Sequence, residues 1–147
     1  MIYLVDTNIL LGFSYPADRN YQTVQFAVHK LLANGHQLKV TLQNFAEFWR
    51  ASTRPADKGG FGRTPPDAEQ FLQELELLFP LLPDDSPNVY TEWRRLAVQY
   101  SVSGKKVHDA RLVASMISQG ITHILTFDKD FDRYASEGII RVDPAAS

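Results

Sequence analysis

The feature that most constrains the fold is the alternation of short apolar runs with longer segments whose apolar residues recur at helical spacing. The β-favouring runs are Ile2 to Val5, Leu38 to Leu42, Ile124 to Thr126 and Ile139 to Val142, and a further short strand is predicted at Phe79 to Leu82. Strands separated by helices predict an α/β domain, in which a mainly parallel sheet is flanked by helices and joined by right-handed crossovers.

The helical segments lie between these runs. One begins near Val24 and stops at Asn34-Gly35. A second, aromatic helix contains Phe45, Phe48 and Trp49. A Gly/Pro-rich loop from Arg54 to Pro66 follows. Three further helices are predicted. The first begins at Thr64 and Pro65, and its buried residues are Phe71, Leu72, Leu75 and Leu78. The second contains Val89, Trp93 and Tyr100, and the third begins at Asp109 and ends at Gly120.

Length and composition set the broad class. A chain of 147 residues is expected to form a single domain over residues 1–147. The sequence has no cysteine, which excludes disulfides and thiolate metal sites.

The sequence opens on an apolar strand without a basic segment, and no stretch approaches the length of a membrane span, so we expect a cytoplasmic protein with no membrane contact. The net charge of -2 is compatible with RNA as a substrate.

Acidic residues recur where the active edge of such a sheet should lie. Asp6 follows the first strand, Glu47 lies in an early helical turn after the second, Asp109 starts a helix and Asp128 follows a late strand. Each has a structural alternative, since Asp6 and Asp109 could cap helices, Asp128 could form a turn and Glu47 could face water. Together they favour one cluster, because the carboxyl ends of parallel strands meet at one edge.

Converging carboxylates need a compensating cation, because like charges in close contact cannot all stay ionised. Ligands that are all oxygen atoms suit Mg²⁺ or Mn²⁺. Such an ion would activate a water as the nucleophile and stabilise charge on the leaving oxygen of a phosphodiester. The acids therefore predict metal-dependent phosphodiester hydrolysis.

Four segments carry a resemblance to a known family. They are Val5 to Asn8, Asn44 to Arg50, Val107 to Ala114 and Leu125 to Asp128. In order and spacing they resemble the motifs of PIN-domain proteins, and in particular VapC-type toxins of bacterial toxin-antitoxin pairs. The resemblance spans nearly the whole chain, and it implies a PIN-like sandwich with Rossmann-like character.

The resemblance also implies an activity, a cofactor and partners. The activity would be endoribonuclease cleavage that depends on Mg²⁺ or Mn²⁺, and the partners would be a cognate antitoxin that covers the acidic groove and a second copy of the chain in a homodimer. The implied metal ligands, which would also be the catalytic residues, are Asp6, Glu47, Asp109 and Asp128. Asn8 and Thr126 would support them, and Asp130 could replace Asp128 as the fourth ligand.

Basic and aromatic residues offer further interpretations. Arg111 follows Asp109 closely, and Arg50, Arg54, Lys58 and Arg63 lie in or beside the Gly/Pro-rich loop. We predict Arg111 and Arg50 as RNA contacts, with solvated surface as the alternative. His108 adjoins a proposed ligand, but a structural or exposed role is favoured for it. The helical spacing of Tyr90, Trp93 and Tyr100 favours a core role over base stacking.

Two other functions remain open. A phosphatase of the haloacid-dehalogenase type would use the aspartate after the first strand as a covalent nucleophile, but it needs a second aspartate where this chain has Asn8. The second alternative is a PIN-like module without catalytic activity that binds RNA or serves in assembly. Metal-dependent stabilisation would distinguish an enzyme from such a module.

Overall fold

A parallel sheet organises the chain, and a computed structural model describes residues 1–83 and 86–146 of it. The strands are β1 (Ile2–Val5), β2 (Gln37–Lys39), β3 (His123–Leu125) and β4 (Ile140–Val142). The α-helices are α1 (Thr7–Ser14), α2 (Tyr21–Ala33), α3 (Leu42–Thr53), α4 (Pro65–Leu78), α5 (Asn88–Gln99) and α6 (Val107–Gln119). Short 3₁₀ segments cover Ala56–Lys58, Gly104–Lys106 and Lys129–Glu137.

The sheet has the order β2-β1-β3-β4, and each neighbouring pair is parallel. This confirms the predicted α/β class with a mainly parallel sheet. After β2 the chain crosses β1 to place β3 on its other side. The strand order therefore reverses at β1, and a crevice opens beyond the carboxyl ends of β1 and β3, where ligands of such sheets bind.

The core lies on both faces of the sheet, as the alternation of side chains along β1 requires. Tyr3 and Val5 pack with the cluster on the side of α1 to α4, whereas Leu4 packs with the cluster formed by α5 and α6. Leu125 and Ile124 divide between the two clusters in the same way. Burial on both faces explains why these strands carry so few polar residues.

Three predicted boundaries differ from the structure. β2 ends at Lys39, because Thr41 is extended and caps α3, its hydroxyl accepting a hydrogen bond from the backbone N–H of Asn44. The strand predicted at 79–82 is reduced to one parallel bridge between Val40 and Leu81. α6 begins at Val107, so Asp109 lies in its first turn and does not open it.

The predicted cap of α4 is confirmed. The Thr64 side chain accepts a hydrogen bond from the backbone N–H of Asp67, and Pro65 is the first helical residue. Leu75 is buried, and Phe71 packs partly buried against the same cluster. No helix within residues 1–83 and 86–146 is long and apolar enough to cross a membrane.

The Gly/Pro-rich loop is held tightly against the end of α3. The backbone N–H groups of Phe61 and Arg63 donate to the carbonyls of Ala51 and Ser52 at 3.1 and 2.9 Å. A Cβ at Gly60 would lie 2.1 Å from the carbonyl oxygen of Arg54, so this close approach requires glycine.

Arg63 fixes the same loop to α1 and α3 through a set of contacts that we call the Arg63 anchor. Its guanidinium donates to the carbonyl oxygen of Ser14 at 2.8 Å and to the hydroxyls of Ser14 and Ser52 at 3.3 and 3.4 Å. It also lies 3.8 Å from the centroid of the Phe71 ring and 5.0 Å from that of Phe61. The polar and cation-π contacts of Arg63 therefore serve to hold the loop in place.

Candidate active site

Asp6 lies at the carboxyl end of β1 and is bound on both carboxylate oxygens. Oδ1 accepts the backbone N–H of Thr7 at 2.8 Å, which makes Asp6 the N-cap of α1, and Oδ2 accepts the Thr126 hydroxyl at 2.7 Å. The Thr126 oxygen also accepts the side-chain amide of Asn8 at 3.2 Å and the backbone N–H of Asp128 at 3.0 Å. Thr126 thus joins the ends of β1 and β3, and the roles of Thr126 and Asn8 in supporting metal ligands stay predictions.

Glu47 reaches the same crevice from α3. Its Oε1 accepts the Thr7 hydroxyl at 2.9 Å, and that hydroxyl accepts the side-chain amide of Asn44 at 3.2 Å. Asn44 is itself fully buried and bound to the backbone N–H of Thr41 at 2.9 Å. The half-buried carboxylate of Glu47 is therefore positioned by a polar chain that runs from the N-terminus of α3 to that of α1.

Asp109 enters from the first turn of α6, where Lys106 is its nearest charged partner at 3.8 Å. The Gln43 side chain donates to the carbonyl oxygen of His108 at 2.9 Å and so ties α6 to α3 beside the crevice. Asp109 keeps 26% of its side-chain surface exposed. It can therefore meet a ligand while the helix that carries it stays fixed.

Asp128 and Asp130 differ in their surroundings. Asp128 follows β3, is half-buried, and accepts the backbone N–H of Asp130 at 2.9 Å. Asp130 is exposed and pairs with Lys106, and this contact holds the pKa of Asp130 below its usual value. Asp128 affects the pKa of Asp109 more than Asp130 does, and Asp130 is engaged by Lys106, so the structure favours Asp128 as the fourth acid.

Charge accumulates at this edge. The pKa of Asp6 is raised from 3.8 to about 6, mainly by burial; hydrogen bonds from Thr126 and Thr7 lower it, and the negative charges of Asp109 and Glu47 raise it. The pKa of Asp109 is also raised from 3.8 to about 6, mainly by burial and next by the charge of Asp128, against the opposing charge of Lys106. We call Asp6, Glu47, Asp109 and Asp128 the acid edge, since these effects couple all four.

The donor set of the acid edge fits a hard cation, because every side chain in it offers carboxylate oxygen. Burial and the neighbouring carboxylates both raise the pKa of Asp6 and of Asp109, and a bound cation would favour their ionised forms. Asn8 adds a buried Oδ1 without a hydrogen-bond partner among the described residues. In residues 1–83 and 86–146, however, no three acidic or histidine side chains are already arranged to hold a metal ion. Binding would require the carboxylates to turn inward.

A cleft of about 410 Å³ adjoins the acid edge at Glu47. Its wall includes Arg50 from α3 and both His108 and Arg111 from α6. Arg50 and Arg111 are exposed, so their cationic groups flank the same opening. The structure therefore brings the two predicted RNA contacts together beside a proposed ligand.

Sequence reasoning missed the residues that position the acids. Thr7 and Asn44 lay inside the recognised motifs but had no assigned role. Lys106 was also missed, although its spacing of three residues from Asp109 on a helical turn is a known signal for an ion pair. The contacts of Thr7 with Glu47 and Asn44 join residues far apart in the chain, so no local sequence pattern predicts them.

Comparisons with known proteins identify the fold. Residues 3–137 match the family described as PIN domain. VapBC2 from Rickettsia felis, solved bound to a DNA fragment from the promoter, is 16% identical with a TM-score of 0.69, over 97% of this chain and 98% of that chain. Two Mycobacterium tuberculosis structures are also similar, and no curated protein sequence gives a significant match.

The first of these is VapC20, described as a sarcin-ricin loop cleaving toxin. It is 19% identical with a TM-score of 0.65, over 97% of this chain and 98% of that chain. The second is VapBC-5, a member of the VapBC family of toxin-antitoxin systems, 18% identical with a TM-score of 0.56 over the same shares of the two chains. At these identities the likeness concerns the fold alone.

Proposed function

The chain belongs to the PIN domain family, and from that premise we propose that it is an endoribonuclease dependent on Mg²⁺ or Mn²⁺ and the toxin of a toxin-antitoxin pair. The observation that carries the proposal is that Asp6, Glu47, Asp109 and Asp128 lie close enough at the carboxyl edge of the sheet for their charges to interact. Structural proteins rarely keep such a cluster, because ionised carboxylates that face one another oppose folding.

Each acid has a defined part in this proposal. Asp6, Glu47, Asp109 and Asp128 would hold the metal ion, which when bound supplies compensating charge and activates water toward phosphorus. Thr126 donates to one oxygen of Asp6, and Thr7 donates to one oxygen of Glu47, so each of these two carboxylates keeps its other oxygen for a metal ion or for Thr7 N–H. Asp130 remains paired with Lys106 outside this set.

Arg50 and Arg111 would hold the RNA backbone on either side of the cleft that Glu47 lines. Phosphate contacts of this kind set register and carry no sequence information. Replacing Arg111 with Gln should lower the steepness of the salt dependence of RNA binding by about one counterion. Arg19→Gln, which alters an exposed arginine outside the cleft, should leave that dependence unchanged.

The proposed partners follow from the similar structures. VapBC-5 is named as a member of a toxin-antitoxin family. We infer that this chain binds a cognate antitoxin that covers the acid edge. We also infer that two copies of this chain form a homodimer. We expect a short open reading frame beside its gene, and co-expression with that product should yield a complex. If addition of that product leaves RNA cleavage at its original rate, the antitoxin proposal fails.

The activity is tested with purified chain and a labelled structured RNA. Cleavage should require Mn²⁺ or Mg²⁺, stop with EDTA, and leave a 5′-phosphate on the downstream fragment, because water and not the 2′-hydroxyl attacks phosphorus. A 2′,3′-cyclic phosphate product, or equal cleavage in EDTA, would contradict the mechanism. RNA binding without cleavage under any metal condition would favour the assembly-module alternative.

A further inference from the structure

A second cavity lies beside the cleft at the acid edge. This groove, of about 490 Å³, runs between α5 and α6, and we call it the aromatic groove. Its lining residues are Ser86, Val89, Tyr90, Trp93, Val107, His108 and Arg111. His108 and Arg111 also line the cleft that contains Glu47, so the two cavities share part of their walls.

The aromatic side chains of this groove differ in how firmly they are held. Trp93 packs partly buried against the core, and its indole N–H donates to the carbonyl oxygen of Val107 at 3.0 Å. Its ring plane is therefore fixed at the wall of the groove. Tyr90 is 62% exposed, which contradicts the core role expected from its helical spacing.

The groove combines apolar ring faces with positive charge at its rim. The guanidinium of Arg94 lies 5.4 Å from the centroid of the Tyr90 ring, and Arg111 is exposed where the groove meets the cleft. Flat apolar faces next to cations suit a nucleobase attached to a phosphate, since bases stack on aromatic rings while arginine meets the backbone. Because the groove shares His108 and Arg111 with the cleft at Glu47, its position favours the RNA substrate over a second copy of this chain as the occupant.

We propose that the aromatic groove holds an unstacked base of the RNA substrate close to the phosphodiester that is cut. This inference rests on the proposed function. The base stacks against Tyr90 and the fixed indole of Trp93, and Arg111 contacts the connecting phosphate. The groove is then the part of the molecule that selects single-stranded or unpaired nucleotides, because a base inside a duplex cannot enter it.

The test uses the tryptophan fluorescence of the groove itself. The chain has two tryptophans, so the variant Trp49→Phe leaves Trp93 as the single emitter. A single-stranded RNA hexamer is titrated in EDTA at low salt, beside a hexamer of the same sugar-phosphate backbone without bases. We expect quenching by the RNA and none by the abasic chain.

Tyr90→Ala should then weaken hexamer binding by about 5- to 150-fold, the range that loss of one stacked base implies. Tyr90→Phe should bind as the parent does, because stacking needs the ring and not the hydroxyl. Phe26→Ala removes an aromatic ring of similar exposure, 61%, from α2 outside the groove and should have no effect. In cleavage assays Tyr90→Ala should raise KM and leave kcat nearly unchanged.

The outcomes separate this inference from the proposed function. Parental RNA binding and KM in Tyr90→Ala, with cleavage intact, would overturn the base site and leave the nuclease standing. Base-dependent quenching of Trp93 without any cleavage would retain the base site and defeat the nuclease. If Tyr90→Ala instead turns a dimer into a monomer and RNA does not quench Trp93, a second copy occupies the groove and the inference is wrong.

Discussion

The acid edge and the Arg63 anchor are both polar assemblies in contact with the core. The anchor surrounds one positive charge with acceptors and aromatic rings, whereas the acid edge brings several negative charges together. At the anchor, one guanidinium meets the oxygens of Ser14 and Ser52 and the ring faces of Phe61 and Phe71. At the acid edge, four carboxylates lie near one another, and those of Asp6 and Asp109 have pKa values of about 6.

This difference predicts that the Arg63 anchor contributes to the stability of the fold and that the acid edge contributes to activity. Charge that is matched by acceptors and ring faces stabilises a loop that would otherwise have few contacts. Charge that is left unmatched destabilises the protein without a ligand and favours whatever cation can neutralise it. Substitutions should therefore change stability at the anchor and activity at the acid edge.

The largest expected effect is on catalysis. Asp109→Asn should lower RNA cleavage by more than about 100-fold, because outer partners of a metal site alone account for roughly 10- to 100-fold. Its fold should remain intact, since Asp109 is partly exposed and accepts only a long contact from Lys106. Initial rates with saturating Mn²⁺ measure the effect, and circular dichroism monitors the fold. Cleavage at the parental rate would remove Asp109 from the site.

The next effect is on stability at the anchor. Arg63→Ala should lower the free energy of unfolding by about 2–4 kcal/mol, because it removes charged hydrogen bonds and the contact with Phe71. Arg54→Ala, at an exposed position of the same loop, should change it by less than about 0.5 kcal/mol. Urea unfolding measures both. If the two variants lose equal stability, the anchor does not hold the loop.

Stability of the metal-free protein should depend on pH through the acid edge. The pKa values of Asp6 and Asp109 are about 6 in the folded chain against an ordinary 3.8, so their stabilising effect is complete at low pH. It is lost as the pH rises through 6. For Asp6 the full loss is about 3 kcal/mol at most, and roughly half of it falls between about pH 5 and about pH 8.

Urea unfolding in EDTA at those two pH values tests this dependence. Asp6→Asn should reduce the fall in stability at the higher pH, because it removes one ionising group. Asp57→Asn changes an exposed carboxylate in the Gly/Pro-rich loop and should preserve the parental fall. An undiminished fall in Asp6→Asn would mean that Asp6 is not responsible.

The smallest expected effect concerns orientation of Glu47. Thr7→Val removes the hydroxyl that donates to Glu47 at 2.9 Å and accepts from Asn44. We expect cleavage to fall about 10-fold or somewhat more, the usual cost of losing a partner that orients a metal ligand. Thr7→Ser keeps the hydroxyl and should restore most of the rate. Equal rates for Val and Ser at this position would show that the hydroxyl does not orient Glu47.

The positions of the acids were accessible from sequence for a physical reason. Asp6 and Asp128 end apolar strand-like runs, and parallel strands bring their carboxyl ends to one edge. Asp109 and Glu47 lie in early helical turns after polar breaks, which places them at the same end of the layers. Local pattern and sheet geometry therefore predicted that these side chains share one edge, whereas their role as metal ligands came from the family resemblance and stays a prediction.

The Arg63 anchor could not be predicted in this way. Arg63 lies 49 residues from Ser14, and the loop that carries it contains glycine and proline, which indicate only that regular structure stops. The exposure of Tyr90 was equally hidden, because helical spacing does not say which face of α5 the neighbouring α6 covers. Long-range packing decides both features.

The central claim is that the acid edge binds a divalent cation, and a metal titration of unfolding tests it most directly. Urea unfolding of the parent chain at about pH 8 should show a gain of about 2.7 kcal/mol when free Mn²⁺ reaches about 100 times its dissociation constant. Asp109→Asn should show a much smaller gain at the same concentration, and Asp57→Asn the full gain. Absence of any Mn²⁺-dependent gain in the parent at millimolar metal, or an equal gain in Asp109→Asn, would contradict the account.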